Sequence, residues 1–402
     1  MSTVQDLPAP GRFRGARARV EEVSNRHRSL SIIVGMAIVG AILPLVAGLP
    51  LLSGFQPQGA WIDGFTNAGV YVLLAIGLNI VVGVAGLLDL GYAAFFAIGS
   101  YVYAYAASPF GAQILGYNLS ALGGGFGVVF WPMLIVGALV AALFGVLLGA
   151  PTLRLRGDYL AIVTLGFGEI VPIVFRESAT YTNGINGIGG IIRPWLPGMG
   201  GFTAIDAMPY YLTTLVLVTV VMIFAYRLVE SRIGRAWEAI REDELAAAAN
   251  GINTVTTKLL AFALGASTAG IAGVLNTAKL TVVSPDQFTF TISFTVLAMV
   301  VLGGMGNFWG VGVGAFVIYT INNVLLKSLN QFFDSTGIPV LNQIDFLQLQ
   351  FLLYGLALVA MMLLRPEGLF PNNRRKRELH AEVTEPGEDE MTLPEVTEEG
   401  GR

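Results

Sequence analysis

The sequence predicts an all-α polytopic membrane protein of about ten transmembrane helices, with glycine-broken segments and one charged surface elbow. Hydrophobic residues make up 54% of the chain and charged residues only 12%, about half the charged fraction of a typical soluble protein. Apolar runs of about 17 to 25 residues recur along most of the chain, and each is long enough to cross a bilayer as a helix. The 50 glycines suit close packing of helices in lipid, where small residues let backbones approach.

The first element is a basic tail, residues 1–28, which is followed by an apolar run over 30–52. A secretory signal has an apolar core of about 7 to 15 residues, so this longer run predicts an uncleaved first span with a cytoplasmic amino terminus. Ten spans place every basic cluster on one side of the membrane and both termini in the cytoplasm. The later spans are predicted near 68–88, 90–107, 128–149, 159–175, 210–226, 258–275, 288–302, 308–326 and 346–364.

The elbow, residues 230–253, connects two apolar runs and is too highly charged to lie in lipid. An amphipathic pair of helices on a membrane face is predicted there, and an ordinary solvated loop is the alternative. Two apolar stripes occur at helical spacing: Ile233, Ala236, Trp237 and Ile240, then Leu245, Ala248, Ala249 and Ile252.

The ends of the second elbow helix carry their own signals. The acidic run 242–244 is expected at the positive start of that helix, where carboxylates are stabilised. Asn250 and Gly251 form a helix stop, with Gly251 free to adopt a left-handed conformation. Thr256 or Thr257 is expected to cap the following membrane helix.

Two junctions between spans, 86–92 and 303–310, are too short to leave the membrane cleanly. Paired glycine-broken segments in the two halves of a chain indicate a midplane pathway in transporters. A tight glycine turn between antiparallel helices is the alternative. The predicted hinge glycines are Gly86, Gly91, Gly251, Gly303 and Gly304.

Few ionisable groups lie within the predicted spans. Glu169 falls near the middle of one, where a charged carboxylate must face a cavity or a partner. It either lines a pathway or hinge, or bonds to a neighbouring helix. Asp89 lies in the first junction and either accepts a hydrogen bond from an ammonium group or backbone, or caps the next helix, which is favoured.

Composition excludes several kinds of chemistry. The chain has no cysteine, and its histidines, His27 and His380, lie in the terminal tails. No lysine belongs to a GxxxxGK[ST] phosphate loop, so ATP would have to be bound by another chain. No nucleophile–base pair or metal cluster emerges, and the chain is predicted not to be an enzyme and to bind no cofactor.

Two segments outside the spans are predicted to be flexible. The glycine-rich segment 182–190 forms an outer loop, which either receives an extracellular partner or is a plain connector. The tail 366–402 is acidic and low in apolar residues, and it is predicted to be disordered in the cytoplasm. Outside this tail the charges balance, so the net charge of −4 gives no indication of nucleic-acid binding.

Several motifs in order resemble the M-type permease subunit of bacterial branched-chain amino acid ABC importers. The resemblance covers roughly residues 30–370. The motifs are LNIVVGVAGLLDLGYAAFFAIG over 78–99, RGDYLAIVTLGFGE over 156–169, GRAWEAIREDE over 234–244, GIN over 251–253, VLGGMGNFWG over 301–310 and RPEGL over 365–369.

The resemblance implies that residues 29–365 form a permease domain in the bacterial inner membrane. A second homologous permease chain would enclose the pathway with it, and two cytoplasmic ATPase chains carrying ATP and Mg would dock below. An extracytoplasmic binding protein would deliver leucine, isoleucine or valine, and the elbow would supply the coupling helices. The implied pathway residues are Asn79, Asp89, Tyr92 and Glu169, and the implied ATPase contacts are Arg235, Glu238, Asp243 and Glu244.

Two departures and three alternatives accompany this resemblance. Urea permeases of the same superfamily usually have Ser and His where this chain has Asp89 and Tyr92, which leaves a urea or short-amide importer as the alternative. The loop 182–190 is more glycine-rich than the family pattern, and the acidic tail lies outside it. A stand-alone secondary transporter, with Glu169 as an ion site, is the alternative of another class, and a membrane scaffold is a third.

Overall fold

The computed structural model is helical throughout the part of the chain that it describes, apart from short turns and four two-residue strands. This confirms the all-helical class. Residues 1–27, the basic pair Arg154 and Arg156, and the predicted tail except Leu369 lie outside the described residues. The structure describes residues 28–48, 57–116, 129–152, 158–196, 200–203, 206–325, 350–364 and 369.

The helices follow the apolar runs, because a backbone in lipid must satisfy its own polar groups. The helix that ends at Leu78, labelled α2 below, continues as a π-helical turn over Asn79–Val84. The first seven are α1 (Arg28–Ala47), α2 (Gln58–Leu78), α3 (Tyr92–Ala107), α4 (Pro109–Leu115), α5 (Phe130–Thr152), α6 (Asp158–Glu177) and α7 (Ala179–Thr182).

The described residues of the second half of the chain contain the elbow and five further α-helices. The helix that ends at Thr320, labelled α13 below, continues as a π-helical turn over Ile321–Leu325. These helices are α8 (Ala207–Glu230), α9 (Arg232–Glu242), α10 (Glu244–Ala249), α11 (Thr254–Leu280), α12 (Phe290–Gly303), α13 (Phe308–Thr320) and α14 (Gln350–Leu364).

Among the residues that the structure describes, six segments are both long enough and apolar enough to cross a membrane, which confirms a polytopic helical membrane protein. Helices α1, α3, α13 and α14 coincide with other predicted spans, and the number of about ten stays a prediction. The six segments are Gln58–Val84, Phe130–Thr152, Tyr159–Glu177, Ala207–Glu230, Thr254–Leu280 and Pro285–Gly303.

Helix α11 is the centre of the bundle and packs against α2, α3 and α5. Its closest contacts are at glycines. A Cβ atom added to Gly270 would lie 2.5 Å from the carbonyl oxygen of Gly137 in α5, and one added to Gly99 in α3 would lie 2.4 Å from the carbonyl oxygen of Gly270. Three helices therefore meet at a point where no side chain fits.

Helix α2 begins at Gln58, ten residues before the predicted span. The predicted span left out this first part, which contains Asp63 and Asn67. In the structure the ammonium of Lys279, from α11, lies 2.7 Å from a carboxylate oxygen of Asp63 and donates to Asn67 Oδ1 at 2.6 Å. Because the lysine pairs with both polar groups, the helix extends through them.

The end of the bundle away from the elbow, called here the far end, is held by strand pairing. Strand β1 (Ile188–Gly189) pairs antiparallel with β4 (Val282–Val283), and β2 (Trp195–Leu196) pairs with β3 (Gly200–Gly201). The Asn183 side chain also donates to the carbonyl oxygen of Gly187 at 2.6 Å. The prediction of a flexible loop over 182–190 was therefore wrong, because its backbone is bonded to a segment about 90 residues later in the chain.

Candidate functional site

The first elbow helix, α9, is fixed to the membrane helices through one buried face. Trp237 is fully buried and donates its indole N–H to the carbonyl oxygen of Thr257, in the first turn of α11, at 2.7 Å. Ile240 is buried beside it, whereas Ile233 is partly exposed. The first predicted stripe is therefore largely confirmed as the docking face of α9.

The start of α10 and the stop after it follow the sequence signals, with one correction. Asp243 is the N-cap, and its carboxylate accepts from the N–H groups of Leu245 and Ala246 at 2.8 and 3.0 Å. Gly251 has a φ of 84°, as its left-handed role requires. The cap of α11 is Asn253, which accepts from the Thr256 N–H at 3.1 Å, and not a threonine.

The second predicted stripe faces the wrong way. Asp243 has extended backbone, so the helical phase restarts at α10, and Ala247 becomes its buried residue. Leu245 is 72% exposed, and Ala248 and Ala249 are exposed as well. The elbow thus presents an apolar surface, Leu245, Ala248 and Ala249, away from the bundle.

Of the four predicted ATPase contacts, two hold the elbow itself together. Asp243 caps α10, and Glu244 pairs with Lys258 of α11 at 2.6 Å, where the lysine side chain is almost buried. Arg235 donates to the carbonyl oxygen of Glu230 at 3.1 Å within its own segment. Their contact with an ATPase stays a prediction, and so does that of the half-buried Glu238.

The π-helical turn that leads into the first glycine junction contacts the second junction, which is distant in sequence. Asn79, in the π-helical turn that ends α2, is fully buried and its Oδ1 accepts from the N–H of Gly306 at 2.9 Å. Its amide nitrogen has no hydrogen-bond partner among the described residues. π-Helical turns are often found at functional sites. This bond joins the end of α2 to the turn between α12 and α13.

The predicted hinge glycines in these junctions divide into two kinds. Gly86 and Gly304 have φ values of 70° and 111°, which favour glycine. Gly91 and Gly303 have other backbone conformations and serve close packing. A Cβ atom on Gly91 would lie 2.1 Å from the carbonyl oxygen of Thr164, and one on Gly303 would lie 2.7 Å from that of Gly310.

Arg241, at the end of α9, is not among the residues predicted for this site. Its guanidinium Nη1 donates to the carbonyl oxygen of Gly83 at 2.7 Å. Its position one turn after Trp237 is the signal that was available, since residues four apart share a helix face. The elbow is therefore bonded to the first junction as well as to α11.

Asp89 and Tyr92 have mainly structural contacts. One Asp89 carboxylate oxygen accepts from the Gly91 N–H at 2.9 Å. Gly91 is itself the N-cap of α3, without a side-chain cap bond, so the favoured prediction that Asp89 caps this helix was wrong, and Asp89 bonds to backbone instead. The other oxygen has no hydrogen-bond partner among the described residues. The hydroxyl of Tyr92 donates to the carbonyl oxygen of Gly265 at 3.0 Å inside the bundle. Their role in a pathway stays a prediction.

Unlike the buried residues Asn79, Asp89 and Tyr92, Glu169 lies on the exposed face of α6. The residue before it, Gly168, packs against Gly91, so α6 lies directly over the first junction. A cavity of about 150 Å³ opens at this contact and is lined by Asp89, Thr164 and Phe167 among others. It is smaller than the roughly 300 Å³ at which ligand pockets begin. The four predicted pathway residues therefore do not share one enclosed pocket.

The chain matches the family model described as the permease component of branched-chain amino acid transport systems over residues 61–364. It is 38% identical to the high-affinity branched-chain amino acid transport system permease protein LivM of Escherichia coli, over 84% of this chain and 76% of that protein. A probable LivM protein of Methanocaldococcus jannaschii is 28% identical over 77% of the chain and 86% of its own length.

A second kind of relative is more distant. The permease protein LivH of the same Escherichia coli transport system is 27% identical over 64% of this chain and 82% of its own length. No solved structure matches the chain.

Proposed function

The chain belongs to the family of permease components of branched-chain amino acid transport systems, and we propose that it is the membrane-spanning subunit of an ATP-driven importer of leucine, isoleucine and valine. The observation that carries the proposal is the match to a LivM protein over most of both chains. The chain would itself be without catalytic activity or cofactor, and ATP and Mg would be bound by partner subunits.

We place the chain in the bacterial inner membrane as about ten transmembrane helices. The six long apolar segments and the four shorter apolar helices support this number. The elbow, at one end of the bundle, and the two terminal tails would lie in the cytoplasm, by the positive-inside rule. Both termini then lie on the same side as the elbow.

The elbow is the surface that we assign to the two cytoplasmic ATPase subunits. It is fixed to α11 by the Trp237 and Glu244 contacts, so that a force applied to it reaches the spans. It also exposes Leu245, Ala248 and Ala249, an apolar surface that an aqueous partner would cover. Arg235 and Glu238, on α9, would supply polar contacts beside it.

The exposed face of α6 is the surface that we assign to the second permease subunit and to the pathway between the two. Glu169 lies about ten residues into this span, close to the bilayer centre at 1.5 Å per residue. A carboxylate that faced lipid there would cost about 3 kcal/mol or more. The exposed face of α5 carries Leu139 and other apolar side chains instead, which suits lipid. That LivM and LivH relatives both match supports a pair of homologous permeases.

Substrate would pass along this face, near Asn79, Asp89, Tyr92 and Glu169. Because the cavity beside Asp89 is small, the second subunit must complete any site. An extracytoplasmic amino acid-binding protein would release its ligand at the far end, and the selectivity of import would rest mainly with that protein.

Reconstitution tests the function. The chain is expressed with its companion permease and the two ATPases, inserted into vesicles, and supplied with binding protein. We expect uptake of labelled leucine, isoleucine and valine that requires ATP. Uptake of labelled urea instead would favour the alternative importer, and uptake by this chain alone under an ion gradient would make it a secondary transporter.

A second experiment tests the face of α6. The chain has no cysteine, so a single cysteine can be labelled without background. A nitroxide at Ile162→Cys, 63% exposed on α6, should lose contact with lipid-dissolved oxygen when the companion permease is present. The matched control is Leu139→Cys, 64% exposed on α5, which should keep that contact. Equal behaviour of the two labels would contradict the assignment.

A further inference from the structure

Arg241 contacts the backbone at two points, one in the π-helical turn and one at the start of the first glycine junction that follows it. Its Nη1 donates to the carbonyl oxygen of Gly83, in the π-helical turn. Its aliphatic stem lies over Gly86, where an added Cβ atom would be 2.8 Å from the Arg241 Cγ. A positive charge at the carboxyl end of α2 is also favoured by the helix dipole. The contact is thus both electrostatic and steric.

The same turn is in contact with the second junction. A Cβ atom on Gly306 would lie 3.3 Å from the carbonyl oxygen of Gly83, the atom that Arg241 binds. Asn79, one turn earlier, accepts from the Gly306 N–H. A continuous line of contacts therefore leads from the end of α9 through Gly83 and Asn79 to the turn between α12 and α13.

The polar groups at the two ends of this line of contacts differ in how completely they are hydrogen-bonded. The elbow side is well bonded, through Trp237 and Asp243. At the junction side lie a π-helical turn, which is often found at functional sites, and an Asn79 amide nitrogen that has no partner among the described residues. A buried polar group without a partner calls for an explanation, and a second arrangement in which it is bonded would supply one. A contact that differs between two arrangements can bias their equilibrium.

We propose that Arg241 is a positioning residue that latches the elbow to both glycine junctions, so that movement of the elbow changes the two junctions together. This inference rests on the proposed function for its transport readout. It assigns the transmission of ATPase closure to one side-chain contact, in addition to the general attachment of the elbow to α8 and α11. Arg241 acts through Gly83 and does not contact substrate.

The test compares three variants in the reconstituted complex. Arg241→Met keeps the stem over Gly86 and loses the donor and the charge, whereas Arg241→Lys keeps a donor and a charge. The control, Arg232→Met, removes an exposed arginine from the start of the same helix. The readouts are assembly of the complex, ATP hydrolysis and labelled leucine imported per ATP.

We expect Arg241→Met to assemble and hydrolyse ATP while import per ATP falls about tenfold, the fold-change equivalent to losing one hydrogen bond from a charged donor. Arg241→Lys should regain most of the coupling, and Arg232→Met should match the unmodified chain. An unchanged import per ATP in Arg241→Met, or an equal fall in Arg232→Met, would overturn the latch.

A distance measurement decides the question without transport. Nitroxides at Leu88→Cys in the first junction and Glu242→Cys, an exposed position at the end of α9, report the distance between junction and elbow in the assembled complex. The unmodified arginine should give one narrow distribution, and Arg241→Met a broad one. If the complex fails to import branched-chain amino acids, the proposed function fails but this measurement still tests the latch. An unchanged distribution would refute it.

Discussion

Replacing Trp237 by phenylalanine should loosen the elbow while leaving the membrane helices intact. Trp237 is the one fully buried large side chain of the described elbow, and its indole N–H donates to the carbonyl oxygen of Thr257 at 2.7 Å. Phenylalanine lacks this donor and is smaller, so it removes the bond between α9 and α11 and leaves a gap beside Ile240.

The magnitude follows from these two losses. A hydrogen bond of this kind contributes about 1 kcal/mol to stability. The smaller ring adds about 1 to 2 kcal/mol for lost contacts and residual cavity. The total of about 2 to 3 kcal/mol corresponds to a roughly thirtyfold or greater rise in the fraction of time that α9 is detached.

Hydrogen exchange of the chain in lipid nanodiscs measures this fraction directly, because the amides of α9 exchange when the helix opens. Peptides covering 232–242 should lose protection by about thirtyfold in Trp237→Phe, and peptides of α5 should not change. The matched control is Trp309→Phe in α13, outside the elbow. Equal protection of 232–242 in the unmodified chain and in Trp237→Phe would show that the indole does not hold the elbow.

Three further predictions concern other contacts. Asp243→Ala removes the cap of α10 and should destabilise that helix by about 1 kcal/mol, seen as faster exchange of the Leu245 and Ala246 amides; unchanged exchange would contradict the cap. Gly270→Leu places a side chain where even an added Cβ atom would lie 2.5 Å from a carbonyl oxygen. The stability of the bundle should therefore fall by about 3 kcal/mol or more, and the protein should no longer give a monodisperse peak in gel filtration. The control Gly35→Leu, with nothing within 4 Å of its added Cβ atom, should keep both. Leu245→Arg should leave the exposed position folded but reduce the ATPase that co-purifies with the chain, and full recovery of ATPase would remove this residue from the proposed contact.

The class of fold and the main surface element were predictable because their signals are local. Apolar runs identify membrane helices, and the charged run 230–253 identifies the elbow. The cap at Asp243 and the left-handed Gly251 also follow from short-range chemistry, and the structure confirms both. In each case the partner of the residue lies within a few positions along the chain.

The errors and omissions have the opposite origin, since the deciding partner is far away in sequence. The start of α2 depends on Lys279, which is 216 residues from Asp63, and the bond from Asn79 to Gly306 spans 227 residues. Neither leaves a periodic signal. The face of α10 was misjudged for a local reason, because one extended residue at Asp243 resets the helical phase and brings Ala247 inward.

For the candidate site, the sequence located its parts but not its assembly. Both junctions were found from their glycines, yet their contact through Asn79 and the guanidinium of Arg241 was not. Asp243 and Glu244 were predicted as contacts with an ATPase, and the structure gives both a role inside the elbow. A charged residue on a surface helix carries no local sign of whether it binds a partner or its own chain.

The strand pairing at the far end has a consequence for any protein that lands there. The β1–β4 ladder and the ion pair between Arg176 and Asp286 order that surface before a partner protein binds. Less backbone conformational entropy then has to be lost on binding, which favours fast association and allows a short-lived complex to be specific. A preordered surface of this kind suits repeated transient binding better than a long-lived complex.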